Sequence, residues 1–503
     1  MIFRKIVDFQ KPDAFALGTG AKVATGSLAG AGLVSSLWYA AKRRKKDDEN
    51  TVTDMSFLNP TEVKMLIPTT VLEVQAIVRA SAKICIRGSA HSMGGHTLWT
   101  DATCIDTKML KQIVIDKGNL TVTVGAGLTW RELLIALDRK KLTVECMQSY
   151  ADFTIGGSIS ANAHGPSSDV LIGSVLSINV VDCGGELRKL SREDQPDLFT
   201  KVIGGYGLLG VIVDVTLRVR TNTFLRLKRH VKDQALTGLY AWYKQQREPG
   251  KKCMFTVRAE TQGEFAFKRA NAFAWEDTGE TATVPLKDDD APFEQFMNNT
   301  KKEVLSSDKG LFFAKKVLNN FGERLFWQDK DLSSMNQHRF QVCKYVTPKK
   351  SAAHTFLLFE SFIPPFNVEG FLSEISVFLL PFTDDTSAPV FLLSLYVRFV
   401  DQDAEACLSY APDERIAFVF YFKVNREQAH IYDEEVCKKL VAATVRFEGC
   451  FYLPYRVCYN LQELISAYPK IYEFLEAMNN NDPKEKFVNY FGESLKILCN
   501  PSS

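Results

Sequence analysis

RGSAHSMGGHT (Arg87–Thr97) and TIGGSISANAHGPSS (Thr154–Ser168) are the two stretches on which the fold turns. Both are runs of glycine and other small residues set between short apolar segments. Glycine permits positive φ angles, and successive backbone N–H groups can then close on one anion. A pyrophosphate suits such a nest. Before the first loop, Lys83–Ile86 reads as a short strand. Ahead of it, Thr70–Ser81 places Val71, Val74, Ile77 and Val78 on one helical face. Ala102–Asp106 and Leu120–Val124 are further strands. Thr129, with Glu132 three residues on, forms a capping box for a helix reaching Leu137. Beyond the second loop, Val175–Val181 and Gly210–Val219 are strands, the latter approached through Gly204, Gly205, Gly207 and Gly210.

The commonest nucleotide signatures do not account for these loops. GxxxxGK[ST] is absent. Gly205–Gly210 spells GxGxxG, but it precedes a strand where a dinucleotide fingerprint would join strand to helix.

Composition narrows the remaining classes. A chain of 503 residues exceeds one ordinary core. With 61 Lys+Arg against 59 Asp+Glu, it lacks the bulk basicity of a nucleic-acid binder. Its 46% hydrophobic content excludes a largely disordered chain. Eleven cysteines, without a CxxC, argue against a disulfide framework and against a cysteine zinc site. Free or buried thiols in a reducing compartment fit better, and no metal site is expected.

The amino terminus carries the one strong charge asymmetry. Val23–Ala41 is an uncharged run of 19 residues, followed by Lys42-Arg43-Arg44-Lys45-Lys46. That is close to the ~20 residues of a membrane span. Gly26 and Gly30 are spaced as GxxxG, and the basic cluster would stay cytoplasmic. Three readings stand: a transmembrane anchor over about 20–41 with the catalytic part facing the cytoplasm, a cleaved targeting segment, or a flexible tail on a cytoplasmic protein.

From Asn222 the texture is poorer in glycine and richer in aromatics. Lys252–Val257, Phe340–Val346, Thr355–Ile363, Val390–Val400 and Ile416–Val424 read as strands. Gln234–Gln246, Glu294–Leu305, Val368–Leu379 and Glu427–Thr444 read as helices. Alternation puts Ser394, Tyr396 and Arg398 on one strand face, and Tyr421 with Lys423 on another. Glu360 sits among apolar neighbours, where a buried charge needs a partner. Each of these residues could line a pocket, face solvent or form a structural ion pair.

RGSAHSMGG, IGGSISANAHG and GGYGLLGVIVDVTLRV, in that order, resemble the flavin-binding domain of the vanillyl-alcohol oxidase superfamily. The resemblance covers roughly Phe57 to Arg220. It implies an α+β fold: a two-subdomain PCMH-type FAD-binding domain followed by an α+β substrate (cap) domain. The expected division is 1–56 tail and linker, 57–221 FAD-binding domain, 222–459 substrate domain, and 460–503 returning to the FAD domain. FAD is the implied cofactor. Its implied contacts are Arg87, Gly88, Ser89, Ala90, His91, Ser92, Gly94, Gly125, Gly156, Gly157, Ser158, Ser160, Ala161, His164, Gly165, Gly210, Val211 and Ile212.

Ala90 replaces the glycine usual before the loop histidine. His91 would either carry the flavin covalently or only line its site. His96 would be a supporting polar group, and His164 would shape the loop beneath the flavin through a bond to backbone. FESFIPP and FVFYFKVN are similar to strands of decaprenylphosphoryl-ribose oxidase, whose matching positions are Glu360 and Lys423. An HWGK-type motif of aldonolactone oxidases is absent; Phe451–Arg456 stands in its place.

The implied function is an FAD-dependent oxidoreductase that oxidises a CH–OH group of a sugar-like, polyol or aldonolactone substrate. Lys423, Glu360, Arg398 and Tyr421 are its candidate catalytic residues, and Arg456 could orient substrate oxygens. The electron acceptor is left open among oxygen, a quinone and a partner protein. Two rival functions remain: the oxidase half of a lipid-linked sugar epimerase, and a flavin-binding protein without turnover.

Overall fold

Three parallel strands follow from the first apolar segments: β1 (Lys64–Leu66), β2 (Ile84–Arg87) and β3 (Thr103–Asp106), in the order β1-β3-β2. This computed structural model describes residues 51–248, 250–286, 332–343 and 353–499. The candidate membrane segment and the Glu294–Leu305 helix lie outside the described residues. Among the described residues no helix is long and apolar enough to cross a membrane.

Helix α1 (Val71–Ala80) starts at Thr70, whose side chain accepts from Glu73 N, and it buries Val74 and Val78. The apolar stripe expected there meets Ile84, Ile105, Val181 and Val211 in one cluster. The first glycine loop therefore leaves the C-terminal end of β2, a strand that is hydrogen-bonded to β3 and linked at Ile84 to Phe487.

A six-stranded antiparallel sheet follows. Its strands are β4 (Ile113–Asp116), β5 (Thr121–Gly125), β6 (Leu142–Val144), β7 (Val175–Val181), β8 (Leu187–Ser191) and β9 (Val211–Thr221). The order is β8-β7-β9-β5-β4, with β6 also pairing to β9. Between β5 and β6 runs α2 (Trp130–Asp138). Its capping box is reciprocal: Thr129 accepts from Glu132 N, and Glu132 takes the Thr129 N–H. The second glycine stretch is not all loop. Ile155–Ser160 forms a short helix, α3, because Ile155 and Ile159 bury fully and Trp130 Nε1 bonds Ser158 Oγ at 2.8 Å.

The rest of the chain builds an eight-stranded antiparallel sheet. Its strands are β10 (Thr223–Ala235), β11 (Cys253–Ala259), β12 (Arg269–Thr281), β13 (Leu332–Ser334), β14 (His354–Ile363), β15 (Val390–Val400), β16 (Arg415–Asn425) and β17 (Cys450–Phe451). Their order is β13-β10-β12-β11-β15-β16-β14-β17. The apolar alternates of β14 to β16 pack against helices Val368–Leu379 and Lys438–Arg446.

Two expected elements differ. The described part of the expected strand Phe340–Val346 is not a strand: Met335–Cys343 is helical, with Phe340 buried under the Arg131 guanidinium, and 344–346 lie outside the described residues. The helix expected from Gln234 begins only at Leu239, because β10 runs on to Ala235. Toward the end of the chain, Tyr452 and Tyr410 tie the second glycine stretch to the large sheet. Their hydroxyls donate to Ala161 O (2.9 Å) and Asn162 O (2.7 Å).

Candidate cofactor cavity and the sheet beside it

Both glycine stretches line one cavity. Gly88, Ser89, Ala90, His91 and Ser92 line it from the loop after β2. Gly156, Gly157, Ser158, Ser160 and Ala161 line it from α3, and Gly210 and Ile212 from the start of β9. No Asp, Glu, Lys or Arg side chain is on this wall. An anion here would be met by backbone N–H groups and hydroxyls. Among the described residues, Gly88 to Ser92 donate no backbone–backbone hydrogen bond, which leaves successive N–H groups to a ligand.

The wall residues also carry buried polar atoms without partners: His91 Nδ1, Ser92 Oγ, Thr97 Oγ1 and Thr154 Oγ1. Each such atom costs roughly 1–3 kcal/mol if nothing satisfies it. A large ligand rich in donors and acceptors removes that penalty. The chemistry of the wall thus fits a dinucleotide.

Three histidines behave differently. His91 stacks beside Phe153 at 4.3 Å and Tyr150 at 5.1 Å. Burial lowers its pKa to about 4, so the imidazole is neutral at pH 7. His96 lines the cavity as well, stacked on Phe491 at 4.3 Å and held neutral to about 3 by burial. His164 does not line it. Its ring meets a side chain instead of the expected backbone group: Nε2 lies 2.8 Å from Glu360 Oε1, and both groups are buried.

Six expected contact residues stand off the wall. Arg87 donates to Thr53 O at 2.9 Å, and Val211 packs in the core behind β9. His164 is taken up by Glu360. Gly94, Gly125 and Gly165 serve close backbone approach: an added Cβ would lie 2.2 Å from Tyr455 O, 2.2 Å from Leu110 O and 1.9 Å from Met147 O. Ala90 adopts φ +54°, the left-handed conformation in which glycine carries no penalty.

A family model described as an FAD binding domain matches residues 64–191. The chain carries an FAD binding domain. Two curated relatives match part of the chain. An uncharacterized oxidoreductase of the fasciation locus of Rhodococcoides fascians is 31% identical over 162 residues, 31% of this chain and 37% of the relative. The D-arabinono-1,4-lactone oxidase of Yarrowia lipolytica is 30% identical over 175 residues, 33% of each chain. The chain thus matches about a third of the length of these relatives. A solved solvent-stable cholesterol oxidase shares the fold across 89% of this chain and 97% of its own, with a TM-score of 0.64 and 16% identity.

None of the four candidate catalytic side chains lines the FAD cavity, yet strand register gathers them on one sheet face. Glu360 pairs with Val419, and Val419 with Tyr396. Leu358, a cavity residue, pairs with Tyr421, and Tyr421 with Ser394. Arg398 sits two residues from Tyr396 on the same face and donates to Ser149 Oγ at 3.1 Å. Tyr421 stacks on Phe356 at 5.6 Å, and burial raises its pKa above the usual phenol value. Lys423 is buried, with Nζ donating to Thr386 O at 3.1 Å. Arg456 is held by the Asp433 carboxylate at 2.6 and 2.5 Å and does not line the cavity.

Glu360 contacts a residue of the FAD wall. Tyr455, a wall residue, donates to Glu360 Oε2 at 3.5 Å, the long end of hydrogen-bond range. Burial, and then the Glu360 carboxylate beside it, raise the Tyr455 pKa well above that of a free phenol. Tyr452, Pro454 and Tyr455 are wall residues that the glycine motifs do not announce. The aromatic density of Phe451–Tyr459 was their only sequence signal.

Proposed function

We propose that the chain is an FAD-dependent oxidoreductase that oxidises a CH–OH group of a sugar-like, polyol or aldonolactone substrate. The observation that carries this reading is the uncharged cavity between two glycine stretches, closed on one side by a sheet face that bears Glu360, Tyr396, Arg398 and Tyr421. The matched lactone oxidase supports the substrate class.

Bound FAD supplies the acceptor for a hydride from the substrate carbon. Gly88 to Ser92 would hold it through free backbone N–H groups and the serine hydroxyls, while Gly156 and Gly157 would let it approach α3 closely. Neutral His91, whose Nδ1 has no partner in the protein, would be the residue to hold the cofactor covalently. Glu360 holds the proton of the substrate hydroxyl. The proton passes to Tyr455 Oη as the phenol proton moves to Glu360 Oε2, while His164 keeps the carboxylate in place. A positioned base of this kind is worth ~10²–10⁴-fold. Arg398 and Tyr396 orient substrate oxygens from the same face. Lys423, bonded to Thr386 O, ties β16 to the segment ahead of β15.

Anaerobic mixing with polyols, sugars and aldonolactones tests the reading. Bleaching of the flavin colour by a member of one class is the expected result. A yellow protein that none of the three classes bleaches would remove the substrate assignment, and a colourless protein that takes up no FAD would remove the cofactor assignment.

A further inference from the structure

The first glycine loop cannot hold its own shape. Among the described residues, Gly88 to Ser92 donate no backbone–backbone hydrogen bond. Their N–H groups stay open to a ligand in fixed places only if the chain around them is held from outside. The segment ahead of β1 grips the loop at three points. Thr53 O accepts from Arg87 Nη1 at 2.9 Å, at the start of the loop. Met55 N donates to Ser92 O at 3.1 Å, in its middle. Asp54 Oδ2 accepts from Gly95 N at 2.9 Å, at its far end.

Asp54 is buried, and its Oδ1 takes the N–H and the hydroxyl of Ser56 at 3.0 and 2.5 Å. A buried carboxylate is costly unless it is hydrogen-bonded, and a bond to an ionised acceptor is roughly twice as strong as a neutral one. Of the three grips, the one on Gly95 is the bond to a charge. Gly95 is held from the other side as well: its carbonyl accepts from Tyr490 N at 3.2 Å, and its φ is +77°. His96 follows it directly and His91 precedes it in the same loop, and both line the cavity. The gripping segment is itself anchored to the large sheet. Ser56 O accepts from Thr355 Oγ1 of β14 at 2.6 Å, and Phe57 O from Arg426 Nη2, just after β16, at 2.5 Å.

We propose that Asp54 is a positioning residue for the cofactor: its carboxylate fixes the Gly95 peptide, and through it the places of His91, His96 and the open N–H groups. The inference rests on the reading of the cavity as an FAD site. Asp54 does not line the cavity, so it acts through the loop and not on the cofactor itself.

The test uses the full chain, purified flavin-free from riboflavin-limited cells and then mixed with FAD. The visible circular dichroism of the flavin and its affinity are recorded, together with the rate at which flavin becomes acid-stable if it attaches covalently. Asp54→Ala should change the dichroism band and weaken affinity, or slow attachment, roughly tenfold, as the loss of a hydrogen bond to a charged group requires. Asp54→Asn keeps one acceptor oxygen and should recover part of that loss. Thr355→Val is the control, because it unties the same segment from β14 and leaves the three grips in place. It should lower the melting temperature of the flavin-free and loaded chain alike and leave the dichroism band unchanged. An unchanged band and affinity in Asp54→Ala overturn the inference. So does an equal change in Thr355→Val, which would reduce Asp54 to a stabilising residue. A colourless unmodified chain that takes up no FAD overturns the cofactor reading, and the inference with it. If Asp54→Ala does not fold, Asp54→Asn decides: an altered band with a smaller loss of affinity supports the role, and a band and affinity like those of the unmodified chain overturn it.

Discussion

The loop wall of the cavity and the sheet face behind it satisfy their polar groups in opposite ways. The loop wall is backbone, small hydroxyls and neutral imidazoles, and several of its polar atoms have no partner inside the protein. The sheet side is charged, and its members are bound by groups from other segments: Glu360 by His164, Arg398 by Ser149, Lys423 by Thr386. A wall with unmet hydrogen bonds is shaped for a resident ligand. A face whose groups are already paired keeps its geometry while substrates come and go.

Substitutions can break that contrast. The largest effect is expected at Glu360. Glu360→Gln keeps the shape of the side chain but not its basicity, so flavin reduction in stopped flow should slow by ~10²–10⁴ while FAD content stays unchanged. Equal rates would take the proton away from Glu360. Lys423→Ala sharpens the same point, because reduction should change by less than about tenfold while thermal stability falls, the Thr386 carbonyl having lost its donor.

On the loop side the loss should be of binding. Gly94→Ala drives a Cβ against the Tyr455 carbonyl, which costs roughly 1–3 kcal/mol and lowers the FAD occupancy measured by absorbance. Full occupancy with unchanged stability would show that the wall gives way easily.

Acid should act on the loop side as well. The folded pKa of His91 lies at about 4, below its unfolded value of about 6.5, so the unfolded chain takes the proton first. Stability is full above that unfolded value and declines as pH falls from there toward 4. Melting temperature measured across this window should drop for the unmodified protein and drop less for His91→Gln. The smallest effect is expected at Ala90. Ala90→Gly relieves a left-handed residue at some entropic cost and should raise stability by about 0.5 kcal/mol in denaturant titration.

The same contrast explains what the sequence disclosed. Gly88–Ser92, Gly156–Ser160 and Gly210 were legible because a site made of backbone needs small residues in fixed order, and that order is written along the chain. The capping box at Thr129 was legible because both partners lie within one turn. Tyr452 and Tyr455 were not, because an aromatic wall and an aromatic core leave the same composition. The partners of Glu360 and Lys423 were hidden too: His164 and Thr386 reach them only through tertiary folding, and pairing is what separates a buried base from a structural cation. The strand expected at Phe340–Val346 rested on a short apolar run, while over Met335–Cys343 the chain is helical and Phe340 packs under Arg131.

The central claim, that the uncharged cavity between the two glycine stretches holds FAD on His91, is tested most directly by acid precipitation. The full chain is purified, its flavin absorbance recorded, and the protein precipitated beside His91→Ala. Flavin should stay with the pellet of the unmodified chain and pass to the supernatant of the variant. A colourless chain that takes up no FAD, or flavin released equally by both, would contradict it.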